Sequence, residues 1–366
     1  MSVLKSTTTS VVAIAGGTVD VSVHEKNLDG TLKELHRASG GPWGGTCVDN
    51  NFIVWLTTLC GVKAMEKLKR EAMDDYLDLL REFENKKRTI SLETSRFITF
   101  KMSAALKDFI EENDEGNLTS KIDEMNLKDD VKIQRDKLRV SADVARGWFK
   151  EPIDSTTEHI NAILSEPEMT DVSTVLLVGG FAECHLVQEA IKNVVGNRTV
   201  FIPEEAGLAV LNGAVTFGHQ PRIVASRCVR YTYGYKKKAP FDESKHPHEK
   251  MEVDSYGKQV VKGCFKKIVE IGTSVEVGKT INTPRSSMGK HGRSYFKIYA
   301  STERDPLFVT DPSCRLVGRL KLGHAPGETK EENKIEKYFT FGDTELMVSV
   351  KILKTGQVLT KVLDCL

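Results

Sequence analysis

The chain has 366 residues, 28% of them charged and 40% hydrophobic, with a formal net charge of +1. That length supports roughly two to three domains with sizeable cores, and a balanced charge supplies no field that would gather nucleic acid or an anionic membrane. The seven cysteines (Cys47, Cys60, Cys184, Cys228, Cys264, Cys314 and Cys365) stand apart without a CxxC spacing. This reads as reduced thiols of a cytosolic protein, not as disulfides or a zinc site. No apolar run reaches membrane-spanning length, and the polar segment Met1–Ser10 has no signal-peptide core. The sequons at Asn117 and Asn197 therefore carry little weight.

Val11-Val12-Ala13-Ile14-Ala15 reads as a buried strand that ends in the turn Gly16-Gly17-Thr18, with Val19-Asp20 following. A glycine pair after an apolar strand lets backbone N–H groups approach a phosphate with no Cβ in the way; an ordinary tight hairpin is the plainer reading. Val19–His24 alternates, Asp29-Gly30 marks a hairpin turn, and Thr31–Ala38 returns as a strand. Gly40-Gly41-Pro42-Trp43-Gly44-Gly45 forms a glycine-dense loop, and Val48–Phe52 looks like a helix start. Residues 50–165 are mostly helical in pattern: Met65, Leu68, Ala72, Tyr76, Leu79, Leu80 and Phe83 recur at three- and four-residue steps on one face. Glu84, Lys87, Arg88 and Ser91 follow at the same steps, so a helix places them on one side. They form either a solvated charged face or a clamp whose stems stack on a purine. The acidic run Glu111–Asn117 reads as an exposed loop, and Pro152-Ile153-Asp154-Ser155 as the N-cap of a helix that ends at Leu164 with Ile160, Ile163 and Leu164 inward.

Val175–Val178, the turn Gly179-Gly180 and a helix over His185–Val195 make a β-turn-α unit. Val200–Ile202 is a short strand, and Pro203-Glu204-Glu205-Ala206 opens a helix that runs through Ala214 to Phe217. Beyond Pro221 the texture changes to short β-type runs at Ile223–Tyr235, Phe265–Val277, Tyr295–Ser301 and Leu346–Leu353, a separate β-rich domain. Gly278-Lys279-Thr280 fails as a phosphate loop, because the glycine required five residues earlier is Thr273 and no helix follows. Lys236-Lys237-Lys238 reads as a solvated hairpin tip offset by Asp242 and Glu243.

In order and spacing, these features resemble the second half of the nucleotide-binding domain of the seventy-kilodalton heat-shock chaperones, within the actin-like ATPase superfamily. Ala13-Ile14-Ala15-Gly16-Gly17-Thr18-Val19-Asp20 resembles the family's second phosphate hairpin, and Glu84, Lys87, Arg88 and Ser91 fall where it clamps adenosine. Val178-Gly179-Gly180-Phe181-Ala182 is similar to its adenosine loop, and Pro203–Ala206 with Asn212-Gly213-Ala214 to its closing helix. Gly40–Thr46 and Phe341-Gly342-Asp343-Thr344-Glu345 resemble the divergent twelfth subfamily. The resemblance implies an α/β plus β fold: an actin-like second lobe with a mixed sheet and helices, then a β-rich, substrate-binding-like domain. The expected limits are a polar tail at 1–10, the lobe at 11–220 with a helical subdomain at about 60–165, and the β-rich domain at 221–366.

The resemblance also implies ATP or ADP as ligand, with Mg²⁺ beside it. The nucleotide-binding candidates are Gly16, Gly17, Thr18, Glu84, Lys87, Arg88, Ser91, Gly179, Gly180, Phe181 and Glu204, with Asp20 a weak outer-sphere metal partner and no catalytic residue assigned. Departures from the family matter here. Ala13 stands where its hairpin opens with a water-directing aspartate, Ala15 replaces its first glycine, and Phe181 and Glu183 replace a hydroxyl and a base-stacking arginine. The family's first lobe should precede the hairpin, yet only ten residues do. Phosphoryl transfer needs positioning from both sides of the phosphates, so weak or absent autonomous hydrolysis and a partly exposed cleft are expected. The resulting reading is a chaperone-like stress-response protein of the cytosol with a partial adenine-nucleotide site, client polypeptides or co-chaperones as partners, no nucleic acid and no membrane span. The alternatives are a module that binds partners without nucleotide, and an ATPase completed by a second chain. A sugar kinase of the same superfamily fits the β-rich tail less well.

Overall fold

In a computed structural model of the chain, the described residues are 7–112, 118–254, 257–287, 293–323, 334–342 and 345–364. Residues 1–6 of the polar tail, 113–117 of the acidic run with its sequon, 343–344 of the closing run, and Cys365 lie outside them. The chain divides into two compact units: Thr7–Val23 with Ala38–Gln220, and His24–Arg37 with Pro221–Leu366. The class is mixed, α/β in the first unit and mainly antiparallel β in the second.

The elements up to Gln220 are β1 (Thr7–Ile14), β2 (Val19–Lys26), β3 (Leu32–Gly41), α1 (Gly45–Cys60), α2 (Val62–Glu71), α3 (Met73–Lys87), β4 (Ile98–Lys101), α4 (Ala104–Glu111) and α5 (Leu118–Glu124), then β5 (Val131–Gln134), β6 (Lys137–Val140), α6 (Ala142–Leu164), β7 (Val172–Val178), α7 (His185–Val194), β8 (Thr199–Phe201) and α8 (Ala206–His219). In the first unit β1 runs parallel to β7, in register from Ser10 opposite Val175 to Ala13 opposite Val178, and β8 runs parallel to β7 on its other side. Val12, Ile14, Val175 and Leu177 are fully buried. Such continuous apolar runs are what a parallel sheet covered on both faces requires.

The helix expected from Val48 begins earlier, at Gly45. The N–H groups of Gly45 and Thr46 bond to the carbonyls of Ala15 and Gly16, so the hairpin satisfies the first turn's free donors. A Cβ at Gly44 would lie 2.6 Å from the Ala15 oxygen, so only glycine allows this approach. The apolar stripe from Met65 to Phe83 is carried by two helices, α2 and α3, which break at Ala72. Its core is aromatic: Phe52 and Phe83 stack at 4.0 Å between centroids, Phe100 lies 5.1 Å from Phe52, and Trp148 meets Phe52 edge-on at 5.1 Å.

Two expectations for this region need correction. The segment is not helical throughout, because β4, β6 and β5 form an antiparallel sheet in that order. Four-residue strands alternating apolar and polar, such as Lys137-Leu138-Arg139-Val140, are too short to disturb a helical period read over a wider window. Pro152 does not begin a helix either. It sits inside α6, which starts at Ala142 with the Ser141 hydroxyl capping the Val144 N–H. Proline lacks the N–H that would bond to the carbonyl four residues back. That carbonyl, on Trp148, instead accepts from Asn51 Nδ2 at 2.9 Å, and the helix continues.

The second unit holds β9 (Val224–Cys228), β10 (Thr232–Pro240), β11 (Met251–Val253), β12 (Gln259–Val269), β13 (Ser274–Glu276), β14 (Thr280–Ser287), β15 (Arg293–Ser301), β16 (Cys314–Gly323), β17 (Lys334–Phe341), β18 (Glu345–Ile352) and β19 (Val358–Asp364). A five-stranded sheet, β11-β12-β10-β15-β16, and a four-stranded sheet, β14-β17-β18-β19, share one core that includes Tyr235, Phe296, Ile298, Phe339, Val348 and Val350. The core strand expected at Leu346–Leu353 is β18, central in its sheet, with Leu346, Val348, Val350 and Ile352 buried. Gly278-Lys279-Thr280 turns into β14 without a helix. The three lysines at 236–238 are not a hairpin tip. They lie within β10, with Lys236 opposite Phe265 and Lys237 opposite Cys264 on β12, although all three are exposed.

Alternation along β17 turns Ile335, Lys337, Phe339 and Phe341 inward. Lys337 is thus a lysine in the sandwich core, 3% exposed. Its Nζ donates to Ser286 Oγ at 2.7 Å and lies 4.6 Å from the Tyr235 ring centroid. Burial, aided by the charge of Lys237, pushes its pKa down to about 8.

Two predictions follow from these cores. The unfolded chain binds more protons than the folded one between pH about 8 and the ordinary lysine value of 10.5, so stability rises with pH across that window. Lys337→Met should therefore raise the unfolding free energy at pH 7 by on the order of 2–3 kcal/mol, read from urea titrations, and this gain should fade near pH 10; a destabilised variant would refute it. Asn51→Ala should cost about 1–3 kcal/mol by stranding the Trp148 carbonyl. In urea titrations, adding Pro152→Ala to that variant should recover most of the loss, because residue 152 regains its own donor.

Candidate functional site

Parallel pairing of β1 with β7 ends both strands at the same edge of the first unit's sheet. Ligand crevices of open α/β sheets lie beyond the carboxyl ends of the strands. The Gly16–Thr18 turn leaves β1 there, and Gly179-Gly180 leaves β7. Gly179 has φ +96, its N–H donates to the Ala206 carbonyl at 2.7 Å, and a Cβ on it would sit 2.4 Å from the Ile14 oxygen. Packing alone accounts for that glycine. Gly16 and Gly180, by contrast, face open space.

Between these turns and the end of α3 lies a hollow of about 420 Å³. Its wall includes Gly16, Glu84, Lys87, Arg88, Gly180 and Phe181, six residues singled out from sequence. The other candidates are not on that wall. Gly17 and Thr18 are exposed on the hairpin, where the Thr18 hydroxyl donates to Asp20 Oδ2 at 3.0 Å. Glu204 is exposed ahead of α8. Ser91 does not share a helical side with Glu84, Lys87 and Arg88, because α3 ends at Lys87 with Arg88 as its C-cap. Burial of Ile90 turns the chain inward, and Ser91 bonds instead to Thr94 and, through its carbonyl, to Arg146.

Core packing positions the charged cluster. Tyr76, Leu79 and Phe83 form the buried stripe of α3, and Lys87 is its next member, one turn beyond Phe83. Its stem is buried, and its Nζ bridges Asp49 Oδ1 and Glu84 Oε2, each at 2.5 Å. Arg88 pairs with the second oxygen of Glu84 at 2.8 Å. Burial pushes the Glu84 carboxyl up, but the hydrogen bonds and charges of Lys87 and Arg88 outweigh it and hold Glu84 below the usual range. Two carboxylates thus supply the counter-charge that an ammonium at this depth requires.

The opposite wall is aromatic. Phe149 and Phe181 lie 6.3 Å apart with their planes 25° from parallel. Glu183 closes one side, its Oε1 accepting from the Gly207 N–H at 3.1 Å. Cys184 caps α7 and also lines the hollow; burial pushes its thiol up, against the pull of the Val187 and Leu186 N–H groups. Outside the hollow, Cys47 donates to Glu151 at 2.9 Å, and burial with that carboxylate raises it to about 11, too high for a ready nucleophile near neutral pH. Asp49, Gly45, Thr46 and Phe149 escaped the sequence reading. Asp49 was legible only as part of a helix start, although it stands one turn after Gly45 on the face that meets the hairpin. A flat aromatic wall facing a lysine, an arginine and carboxylates suits a planar group with polar appendages. Among the described residues, no group of three or more His, Cys, Asp or Glu is placed to hold a metal ion. No helix among them is long and apolar enough to cross a membrane.

No family model matches the chain. Heat shock 70 kDa protein 12A of Mus musculus is 31% identical over 364 residues, which cover 95% of this chain and 52% of that protein. The Homo sapiens 12A protein shows the same identity and coverage, and the Homo sapiens 12B protein is 30% identical over 363 residues, 96% of this chain and 53% of its own length. The chain spans about half the length of the curated relatives it matches. Similarity to the heat shock 70 kDa proteins 12A and 12B thus runs through nearly all of this chain's own residues.

Proposed function

We propose that the chain is a chaperone-related protein whose hollow binds an adenine nucleotide, ATP or ADP, with weak or absent autonomous hydrolysis. One observation carries the reading: Lys87, held between Asp49 and Glu84, shares a single concavity with the ends of both glycine turns. The volume suits a nucleoside, with the purine against the Phe149–Phe181 wall and the ribose within reach of Lys87, Glu84 and Arg88. Gly16 and Gly180 leave room for close backbone approach to the phosphates. Residues 11–220 then form an actin-like second lobe with its helical subdomain at about 60–165, and 221–366 a substrate-binding-like β domain for client polypeptides or co-chaperones. Mg²⁺ would arrive with the phosphates, and Asp20 could touch it only through water. Ala13, at the end of β1, offers no carboxylate to direct an attacking water.

A second reading, a partner-binding module that needs no nucleotide, draws on α8. Leu208, Val210, Leu211 and Val215 are each half exposed or more, and no charged side chain occurs from Ala206 to Gly218. An apolar helix is normally covered.

Titration with fluorescent ADP should show saturable binding that Arg88→Ala weakens by about tenfold, the loss typical of a charged contact. The midpoint of thermal unfolding should stay unchanged, because Arg88 is exposed. Lys87→Ala should weaken binding further and also destabilise the fold. Absence of binding at millimolar ADP, with partner capture indifferent to nucleotide, would favour the second reading. Phosphate release from ATP should stay at background and be unaffected by Asp20→Ala; turnover that this change abolishes would overturn the hydrolytic part.

A further inference from the structure

The sheet β4-β6-β5 has two unlike faces. Phe100, Val131, Leu138 and Val140 turn inward and are buried. Alternate positions turn outward: Thr99 and Lys101 on β4, Lys137 and Arg139 on β6, Lys132 and Gln134 on β5. In the register, Lys101 stands opposite Lys137, and Arg139 opposite Lys132. Like charges directly opposed across an antiparallel pair destabilise it. Among the described residues these four cations make no ion pair. Arg139 donates to Gln134 Oε1 at 3.3 Å, and Arg139 and Lys132 sit 5.1 and 5.0 Å from the Phe97 ring centroid. Beside β4 the face opens into a concavity of about 610 Å³ that also takes in Lys86, Arg96, Glu82 and Asp136. Glu82 is already engaged, by Lys86 and by the Lys101 N–H at 3.0 Å. Asp136, on the turn between β5 and β6, is the other carboxylate of that concavity.

We propose that this face docks an extended acidic polypeptide segment with carboxylates at alternate positions. Two opposed cation pairs that make no ion pair among the described residues keep a stability cost that an external anion would relieve. Alternate residues of an extended segment lie about 6.6–7 Å apart on one side, which matches the spacing of Lys137 and Arg139 along β6. Lys132 and Arg139 lie over the half-buried Phe97 ring and compete with a base for the stacking on which single-stranded nucleic acid sites depend. Among the described residues the face carries no exposed large apolar side chain to enter a membrane.

The test is fluorescence anisotropy of the full chain with a labelled peptide of alternating Glu and Thr at physiological ionic strength. The double substitution Lys132→Glu with Lys137→Glu turns both like-charge pairs into opposite-charge pairs, so the fold should hold or gain stability while peptide affinity falls by about tenfold or more. Lys236→Glu with Lys238→Glu changes the net charge equally on exposed lysines of β10 and should leave binding intact. No peptide binding to the unaltered chain, or an equal loss in both double variants, would overturn the proposal. So would tighter binding of a single-stranded oligonucleotide of matched charge or of phosphatidylserine vesicles.

Discussion

The in-register parallel pairing of β1 with β7 is the constraint on which the site depends. The two strands are separated by nearly the whole α-helical part of the chain, so only the sheet brings their ends together. Once Ala13 lies opposite Val178, the turns that leave the strands must emerge side by side. Their detailed positions are then set by backbone contacts. The N-terminal donors of α1 bond to the Ala15 and Gly16 carbonyls, and the Gly179 N–H bonds to the Ala206 carbonyl. Four segments from distant parts of the chain are thus tied to one sheet edge by main-chain groups, which leaves side chains free to define the hollow. Side chains held in this way need little reordering to meet a ligand, and pre-organisation of that kind lowers the cost of binding.

Two buried lysines show how much surroundings decide. Periodicity places both: Lys87 continues the inward stripe of α3 one turn after Phe83, and Lys337 falls on the inward alternation of β17 between Ile335 and Phe339. Lys87 emerges between two carboxylates, in a network that fixes Asp49, Glu84 and Arg88 relative to one another. Lys337 meets a hydroxyl and aromatic rings, and its proton is held weakly. Breaking the first network strands buried charge, whereas replacing the second lysine removes a burden. Equal burial therefore carries opposite consequences, and only the partners distinguish a positioned binding group from a core liability.

Much of this was legible in the sequence. The strands before both glycine pairs, the stripe from Met65 to Phe83, the Gly179-Gly180 turn and the β texture beyond Pro221 all announced themselves through apolar runs and periodicity. What escaped depended on contacts between distant residues. Pro152 looked like a helix start because proline within a helix favours the first turn, and nothing local could reveal that Asn51 supplies the missing donor to Trp148. Ser91 continued the three- and four-residue steps of α3 on paper, but burial of Ile90 ended the helix first. The sheet β4-β6-β5 was hidden by its short strands, and the lysines at 236–238 by the absence of any sequence sign that β12 and β15 flank β10. Asp49 had no signal of its own until the hairpin placed its helix.

The last turn of α3 joins the two polar features of the first unit. Glu82 and Lys86 face β4 and the cationic sheet, while Glu84, Lys87 and Arg88 face the hollow. Neighbouring helix residues differ by about 100° in direction, so consecutive side chains such as Lys86 and Lys87 necessarily serve different sides. Beneath both lies the same stack of Phe83, Phe52 and Phe100, with Phe100 on the inner face of β4. Close-packed aromatic cores transmit displacement rather than absorb it. A rotation of α3 large enough to disturb the pairing of Lys87 with Asp49 would have to move Phe83 against Phe100, and with it the strand that carries Lys101. The charged wall of the hollow and the cationic face of the sheet are therefore mechanically one construction, set by a single aromatic floor.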